Sequence, residues 1–116
     1  MHRYKDLKFW KLSRIFCKNI YINTAAFPED EKFGLISQLR RASVSIPSNI
    51  AEGASRKSNK DFSRFLEIAL GSCYEIETQL LISNDLNFLS DNNHLKLQED
   101  LVVIIKMMSK FKSSLI

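Results

Sequence analysis

The sequence predicts an all-α protein, in the form of an antiparallel up-down four-helix bundle that occupies residues 1–116 as a single domain. Three observations lead to this prediction. Apolar residues recur every three or four positions in four separate segments, which is the period of an amphipathic helix. Only three Gly and two Pro interrupt 116 residues, and strand-type alternation is hard to find. A chain of this length suits one hydrophobic core.

Helix 1 is predicted to run from about Lys5 to Asn23. Six residues share a broad arc that should face the core: Phe9, Trp10, Leu12, Phe16, Cys17 and Ile20. The opposite arc is basic and contains Lys8, Lys11, Arg14 and Lys18. Three apolar residues interrupt this basic arc, namely Leu7, Ile15 and Ile22. We therefore expect part of it to form a contact between subunits.

Helix 2 is predicted to begin at Pro28, followed by three acidic residues that suit the positive end of a helix dipole, and to stop at Gly53. Its buried stripe is predicted to comprise Phe33, Ile36, Leu39, Ser43, Ile46 and Ile50. Pro47 lies inside the helix and should kink it. The hydroxyl groups that could relieve the freed backbone groups belong to Ser43, Ser45 and Ser48. A bend that wraps the helix around its neighbours is favoured over a functional hinge.

Helix 3 is predicted to start at Ser58, whose hydroxyl can cap the helix while Asp61 completes a capping box. Its main stripe is Phe62, Phe65, Ala69, Cys73, Ile76 and Leu80. A second apolar surface, formed by Ile68, Leu70, Tyr74 and Leu81, predicts that this helix has the most neighbours. Gly71 costs helix propensity, which predicts the close approach of another backbone there.

Helix 4 is predicted to follow a polar turn that extends from Asn84 to Asn93. Its apolar residues keep a regular spacing of four and three, which suits left-handed bundle packing. They are Leu97, Leu101, Ile104, Met108, Phe111 and Leu115. Four amphipathic helices with short connections predict the up-down bundle.

The charge is unevenly distributed along the chain. The net charge is +4, but residues 1–18 carry six basic residues against one acid, and residues 40–64 carry six against two. Residues 65–100 carry seven acids against one lysine. The central basic residues form a predicted basic corner that could bind phosphate oxygens: Arg40, Arg41, Arg56, Lys57, Lys60 and Arg64. An ordinary solvated basic loop is the alternative, and charge alone does not exclude it.

Several functional classes find no support in the sequence. Cys17 and Cys73 lie far apart inside apolar patterns, so we expect both to be reduced core residues in a cytoplasmic protein. His2 and His94 are isolated, and neither a metal site nor a cofactor site is predicted. The charged N-terminus and the short aliphatic run at residues 101–105 predict neither a signal peptide nor a membrane span.

Enzyme motifs are missing as well. The chain contains no GxxxxGK, HExxH or GxSxG sequence. Five polar residues lie within the apolar stretches: Asn49, Glu52, Glu67, Glu75 and Gln79. They could form buried or interfacial pairs with Arg40, Arg41 or Arg64, or take part in acid–base chemistry. The structural interpretation is favoured because no His, Cys or metal-ligand partner accompanies them. The sequence therefore predicts a protein that is not an enzyme.

Nearly the whole chain resembles a known family. The resemblance is carried by Phe27, Pro28, Glu31, Gly34, Leu35, then Gln38 to Ala42, then Ser45 to Gly53, and by Phe65, Leu66, Ile68, Ala69, Gly71, Ser72, Glu75, Glu77, Thr78 and Gln79. These residues resemble the four-helix-bundle proteins encoded in intervening sequences of bacterial 23S rRNA genes. The resemblance implies an up-down bundle that assembles into a homopentameric ring.

The chain is also similar to the accessory variability determinant of diversity-generating retroelements. That protein is a basic pentamer that binds nucleic acid and a partner reverse transcriptase, so the resemblance implies a reverse transcriptase as one partner. The leading hypothesis is an oligomeric adapter without enzymatic activity that binds RNA or DNA through a repeated basic surface, which includes the basic corner and the four basic residues of helix 1. The alternative hypothesis is a structural or protein-interaction scaffold with no nucleic-acid role.

Overall fold

The computed structural model describes residues 2–115, which form four α-helices and two short 3-10 turns. The helices are α1 (Lys8–Thr24), α2 (Leu35–Ala54), α3 (Asn59–Asp85) and α4 (Asp91–Ser113). No strand occurs among the residues described, so the predicted all-α class is confirmed. None of these helices is both long and apolar enough to cross a membrane.

The four helices pack around one cluster of buried side chains. Each contacts its neighbours in sequence, and α1 also contacts α4, which closes the arrangement into a structure of 43 × 24 × 19 Å. The largest fully buried side chains come from all four helices: Phe16, Ile20, Leu39, Ile46, Ile50, Phe62, Leu66, Ile76, Leu80, Leu97, Leu101 and Ile104. Burial of this apolar surface is the main force that holds the helices together.

Helix α1 begins three residues later than predicted. Tyr4–Asp6 form a 3-10 turn, and α1 starts at Lys8 after the extended residue Leu7. The predicted arc is correct in its main features, since Phe9, Phe16 and Ile20 are buried. The other members of the arc, Trp10, Leu12 and Cys17, are half-buried.

The prediction that α2 begins at Pro28 is wrong. Residues Glu29–Glu31 form a separate 3-10 turn, and α2 starts only at Leu35. The carboxylate of Glu31 accepts a hydrogen bond from the Leu35 N–H at 3.1 Å and so satisfies one free donor of the first helical turn. Phe33 lies in the intervening segment and not on α2. It is 87% exposed, which contradicts its predicted burial.

Pro47 lies inside α2, which continues through it to Ala54. The predicted use of the neighbouring hydroxyl groups is wrong in detail. The Ser43 hydroxyl donates to the Arg40 carbonyl at 2.9 Å, and the Ser45 hydroxyl accepts a hydrogen bond from Ser72 at 2.9 Å. The Ser43 hydroxyl therefore bonds within α2, and the Ser45 hydroxyl bonds to α3. Neither bonds to the Ser43 carbonyl, which lacks a backbone donor because Pro47 has no N–H.

The close approach of two helices occurs at Gly53, and the prediction that Gly71 marks it is wrong. Gly53 is buried within α2, where an added Cβ would lie 2.7 Å from the Phe65 Cβ and 2.9 Å from Phe62 Cδ1. At Gly71, an added Cβ would meet no atom within 4 Å. Gly53 therefore allows the end of α2 to pack directly onto the start of α3.

The predicted start of α3 is confirmed, because the Ser58 hydroxyl accepts a hydrogen bond from the Asp61 N–H at 3.1 Å. The α3–α4 turn is shorter than predicted, since α3 continues to Asp85 and α4 starts at Asp91. Asn87 has a φ of 64° in this turn, a value that Asn tolerates better than most residues.

Outside the core, α3 presents apolar residues that no other helix covers. Ile68, Tyr74 and Leu81 are about half exposed, at 48, 53 and 51%. The prediction that α3 has the most neighbours is wrong, because it contacts α2 and α4 just as each other helix contacts two. These three residues of its predicted second apolar surface are therefore open to solvent in a single chain, whereas the fourth, Leu70, packs against the core.

We predict that the same substitution has opposite effects at the two helical glycines. Gly53→Ala should lower the free energy of unfolding by about 1–3 kcal/mol, because its Cβ would force Phe62 and Phe65 away from α2. Gly71→Ala should raise it by about 0.5–1 kcal/mol, because alanine favours the helix and meets no neighbour. Urea unfolding of both variants measures these changes, and equal effects at the two positions would contradict the packing described here.

Candidate nucleic-acid interface

Aromatic side chains bring three basic segments of the chain together at one end of the molecule. The Phe111 ring near the end of α4 lies 5.5 Å from Phe62 at the start of α3 and 5.2 Å from Phe9 at the start of α1, measured between centroids. The ring of His2 lies 5.2 Å from Phe62 and 5.4 Å from Phe111. Gly53 adds the end of α2 to the same region. We call residues 2–8, 52–67 and 106–115 the basic end.

Charge separates strongly along the molecule. The basic end contains ten basic and four acidic residues, a net charge of +6. Residues 18–41 and 75–100, which we call the acidic end, contain five basic and nine acidic residues, a net charge of −4. Of the charged residues, only Lys11 and Arg14 lie outside both ends. A field of this kind attracts anions to one end and repels them from the other.

The α2–α3 turn contributes four of the predicted residues, in two different environments. Arg56 lies over the Phe65 ring, 4.9 Å from its centroid, and pairs with Glu52 at 3.2 Å. Arg64 lies 5.6 Å from the same centroid and 3.8 Å from Asp61. Lys57 and Lys60 are exposed and form no ion pair within residues 2–115. The lysines are thus freer to meet a ligand than the arginines.

Three lysines at the end of α4 were missed by the sequence analysis. Lys106 and Lys110 are exposed, and Lys112 pairs with Glu67 of α3 at 3.3 Å. Their position in the last turns of α4 is the signal that could have revealed them. The contacts of Phe111 with Phe9 and Phe62 place this helix end beside the starts of α1 and α3. Arg3 and Lys5 lie in the same region because they directly precede the start of α1.

The structure separates Arg40 and Arg41 from the predicted basic corner. Both lie near the start of α2, at the other end of the helix from Arg56. The Arg40 guanidinium donates to the Thr24 hydroxyl at 3.0 Å and to the Tyr21 carbonyl at 3.3 Å, and it lies over the Tyr21 ring. A cation there satisfies the carbonyl end of α1 and its dipole, so Arg40 has a structural role.

The basic residues of α1 form a separate surface. Lys8, Lys11, Arg14 and Lys18 are all exposed, as predicted. Lys8 belongs to the basic end, where it borders a shallow groove with Lys110 and Phe111. The other three extend along the outer side of α1, and Arg14 lies 5.8 Å from the centroid of Trp10.

The three residues predicted to form a subunit contact differ in their environments. Ile15 and Ile22 are 57% and 60% exposed, which suits a contact surface. Leu7 is half-buried and packs against the core, so the structure does not place it on the outer face of α1. On α4, Leu95 and Val103 are also exposed. Ile15 and Val103 line one groove between the two helices.

The polar residues within the apolar stretches form a network between α2 and α3. The Gln79 side-chain NH₂ donates to Gln38 Oε1 and to Glu75 Oε2, both at 3.1 Å. Farther along the two helices, Ser72 donates to Ser45 at 2.9 Å. Arg41 lines the same groove as Gln38 and Glu75, yet within residues 2–115 none of its side-chain nitrogens lies within 4 Å of a carboxylate oxygen. The predicted arginine–carboxylate pair is therefore absent from this groove.

Neither cysteine has an environment that suits catalysis. Cys73 is buried, and its desolvation raises the pKa of the thiol to about 12, with a further contribution from the Glu77 carboxylate. Cys17 is half-buried, and its Sγ lies 3.4 Å from the Ser43 hydroxyl oxygen. In the part of the chain that is described, no three His, Cys, Asp or Glu residues are grouped to hold a metal ion.

We predict that Cys73 resists alkylation in the folded protein. A thiol with a pKa near 12 holds almost no thiolate at pH 8, and burial also blocks access. In a Cys17→Ser variant, an iodoacetamide-type reagent should modify Cys73 only after the protein unfolds in denaturant. Rapid modification of the native variant, at the rate of a free thiol, would contradict the burial of this residue.

Comparison with known proteins gives two findings and one negative result. A solved structure from Bacteroides thetaiotaomicron, described as a protein with unknown function from the S23 ribosomal protein family, has the same fold with a TM-score of 0.81 and 24% identity. The alignment covers 90% of this chain and 97% of that one. No functionally curated protein gives a significant match. The family model described as 23S rRNA-intervening sequence protein matches residues 5–110, and the chain therefore belongs to that family.

Proposed function

We propose that this chain is a nucleic-acid-binding protein without enzymatic activity, and that it contacts phosphate groups through its basic end. The separation of charge is the observation that carries this proposal. A net charge of +6 is collected at one end of a chain whose total is only +4. Bringing like charges together costs electrostatic free energy, and a bound polyanion would offset that cost while it releases counterions.

The side chains of the basic end suit phosphate oxygens. Lys57, Lys60, Lys106 and Lys110 are exposed and have no ion-pair partner within residues 2–115. Arg56 and Arg64 lie over the Phe65 ring, and this limits their mobility while their guanidinium groups can still donate hydrogen bonds. Membership of a family named for 23S rRNA makes RNA the first nucleic acid to test, and DNA the second.

We also propose that the protein acts as a homo-oligomer in the cytoplasm, in the form of a pentameric ring of antiparallel up-down bundles. The hydrogen-bonded pairs Gln38–Gln79 and Ser45–Ser72 support the antiparallel order, because the residue numbers rise on α2 as they fall on α3. The uncovered apolar residues of α1, α3 and α4 support assembly. Five copies would carry a charge of +20, five times +4, and several weak phosphate contacts would then act together.

A scaffold that binds only protein is the second candidate function. The acidic end, with a net charge of −4, could meet the basic end of another copy or of a partner protein such as a reverse transcriptase. In that case the basic side chains would be buried in protein contacts. The two functions predict different effects when the lysines of the basic end are removed: weaker nucleic-acid binding in the first case, and loss of protein contacts in the second.

We predict that Lys57, Lys60, Lys106 and Lys110, all changed to Gln, weaken nucleic-acid binding without loss of stability. Each lost phosphate contact should flatten the slope of log affinity against log salt by about 0.9 for duplex DNA or about 0.7 for single strands. The melting temperature should stay unchanged because the four side chains are exposed and have no ion pair in the described chain. Fluorescence anisotropy across a salt series measures the slope.

A charge-matched control is available outside the basic end and outside the α2–α3 groove. Lys11, Arg14, Lys18 and Lys96 are all exposed, and their change to Gln removes the same four charges but should change the slope much less. Equal slopes for the two variants would mean that binding depends on total charge and not on the basic end. Unchanged binding together with loss of the oligomer in the first variant would support the scaffold function instead.

We predict a particle mass near 67 kDa, five times 13.4 kDa, in light scattering at micromolar concentration. Ile15→Asp with Ile22→Asp should dissociate the particle into folded monomers, because both side chains are exposed in the single chain and a buried charge would disrupt a subunit contact. Leu86→Asp, at an exposed leucine outside the helices, provides the control. A wild-type monomer would refute the proposed assembly.

A further inference from the structure

A polar groove between α2 and α3 has features of a binding site that the basic end does not explain. It has a volume of about 410 Å³, which is within the range of small-molecule sites. The side chains that matter here are Phe33, Gln38, Arg41, Ser45, Ser72 and Glu75. It lies toward the acidic end, and a helix rise of about 1.5 Å per residue places Arg41 about 20 Å from Ala54, where α2 ends.

Two opposite charges face this groove without neutralising one another. The Arg41 side chain makes no hydrogen bond, ion pair or ring contact within residues 2–115. Glu75 accepts one hydrogen bond from Gln79 through Oε2, and its other oxygen has no partner in the same part of the chain. A carboxylate can accept about four hydrogen bonds, so Glu75 retains most of its capacity. A ligand that carries acceptors for Arg41 and donors for Glu75 could therefore bridge the two side chains.

The groove is held in shape by hydrogen bonds between its walls. Gln79 is 8% exposed, and its NH₂ group donates to both Gln38 and Glu75. The reversed amide would point its oxygen at two other oxygens, so the orientation of Gln79 is fixed by this network. The Ser45–Ser72 hydrogen bond joins the walls farther along. A site with such fixed walls loses little entropy when it binds a ligand.

An aromatic ring stands at the rim of the groove. Phe33 is 87% exposed, the largest exposure of any large apolar residue in the described chain. The Lys32 ammonium lies 5.6 Å from the centroid of this ring and adds a positive charge beside it. Exposed aromatic rings next to cations are the usual platforms for unstacked bases in single-stranded nucleic acids.

We propose that this groove recognises an unstacked guanine base. Guanine presents two adjacent acceptors, O6 and N7, that suit the Arg41 guanidinium, and two adjacent donors on another edge, N1–H and N2–H₂, that suit the Glu75 carboxylate. Phe33 stacks on the ring, and Lys32 lies near the attached phosphate. The other bases lack one of the two paired edges. This inference rests on the proposed nucleic-acid function and specifies the base that the protein prefers.

The test compares free nucleotides with oligonucleotides, because the guanine could belong to either. Calorimetry with GMP, AMP, CMP and UMP should show GMP bound about tenfold more tightly than the others. Anisotropy with an eleven-nucleotide oligouridine that contains one central guanosine should show a similar gain over plain oligouridine. A preference for GMP with no gain for the oligonucleotide would assign the groove to a free nucleotide and overturn its role in strand recognition.

Three variants and two controls locate the effect. Glu75→Gln keeps the size and an acceptor for Gln79 but should remove the preference for GMP. Arg41→Lys keeps the charge and should reduce the preference about tenfold, because the bidentate contact is lost. Phe33→Ala should weaken the binding of all four nucleotides alike, about tenfold, because stacking does not depend on the base. Asp85→Asn on α3 and Glu99→Gln on α4 are exposed controls and should leave binding unchanged.

The possible outcomes separate this inference from the function on which it rests. Oligonucleotide binding that depends on the basic end but shows no guanine preference would overturn the inference and leave the proposed function intact. Binding to no oligonucleotide and to no nucleotide would refute both. If the three groove variants change the particle mass and not the nucleotide affinity, the groove is a contact between subunits and the inference is wrong.

Discussion

The contact between the last turn of α2 and the first turns of α3 determines where the basic residues lie. Gly53 has no side chain, so Phe62 and Phe65 pack directly against the α2 backbone. Phe62 then contacts Phe111, and Phe111 contacts Phe9, so that one aromatic cluster joins three helix ends. Ten basic residues are carried on these segments. Burial of aromatic surface thus stabilises an arrangement that electrostatic repulsion opposes.

This arrangement gives each end of the molecule a different chemistry. At the basic end, exposed lysines offer point charges that suit phosphates of any sequence. Toward the acidic end, the α2–α3 groove offers the Arg41 guanidinium, the Glu75 carboxylate with one oxygen bonded to Gln79, and an exposed ring, a set that could distinguish one base from another. Arg41 lies about 20 Å along α2 from its end at Ala54, so the two regions could act on one strand, the first for affinity and the second for specificity.

Helical spacing was sufficient to predict the four helices and most of the core from the sequence. The stripe from Leu97 to Met108 is buried as predicted, and Ser58 caps α3 as its sequence indicates. Phe33 was misplaced because an apolar residue in phase with a helix need not belong to that helix. Gly71 was predicted in place of Gly53 as the site of close helix approach. This was wrong because helix propensity shows that a glycine lowers helix stability but does not show whether another helix packs against it.

The candidate site could be predicted only in part, because it depends on which helix ends meet. Arg56, Lys57, Lys60 and Arg64 are adjacent in sequence and were found by charge alone. Lys106 and Lys110 are far from these four residues in sequence. They share the basic end with them only because the end of α4 packs beside the starts of α1 and α3. Arg40 looked like a binding residue because its sequence neighbour is also arginine, whereas its actual partners lie sixteen and nineteen residues earlier in the chain.

Lysine footprinting tests the central claim, that the basic end is the surface that meets nucleic acid, most directly. The folded protein is acetylated briefly with and without a saturating single-stranded RNA, and the modified lysines are quantified by mass spectrometry. The account predicts that RNA protects Lys57, Lys60, Lys106 and Lys110, while Lys18 and Lys96 stay as reactive as in the free protein. Equal protection at both ends, or protection of Lys18 and Lys96 alone, would contradict it.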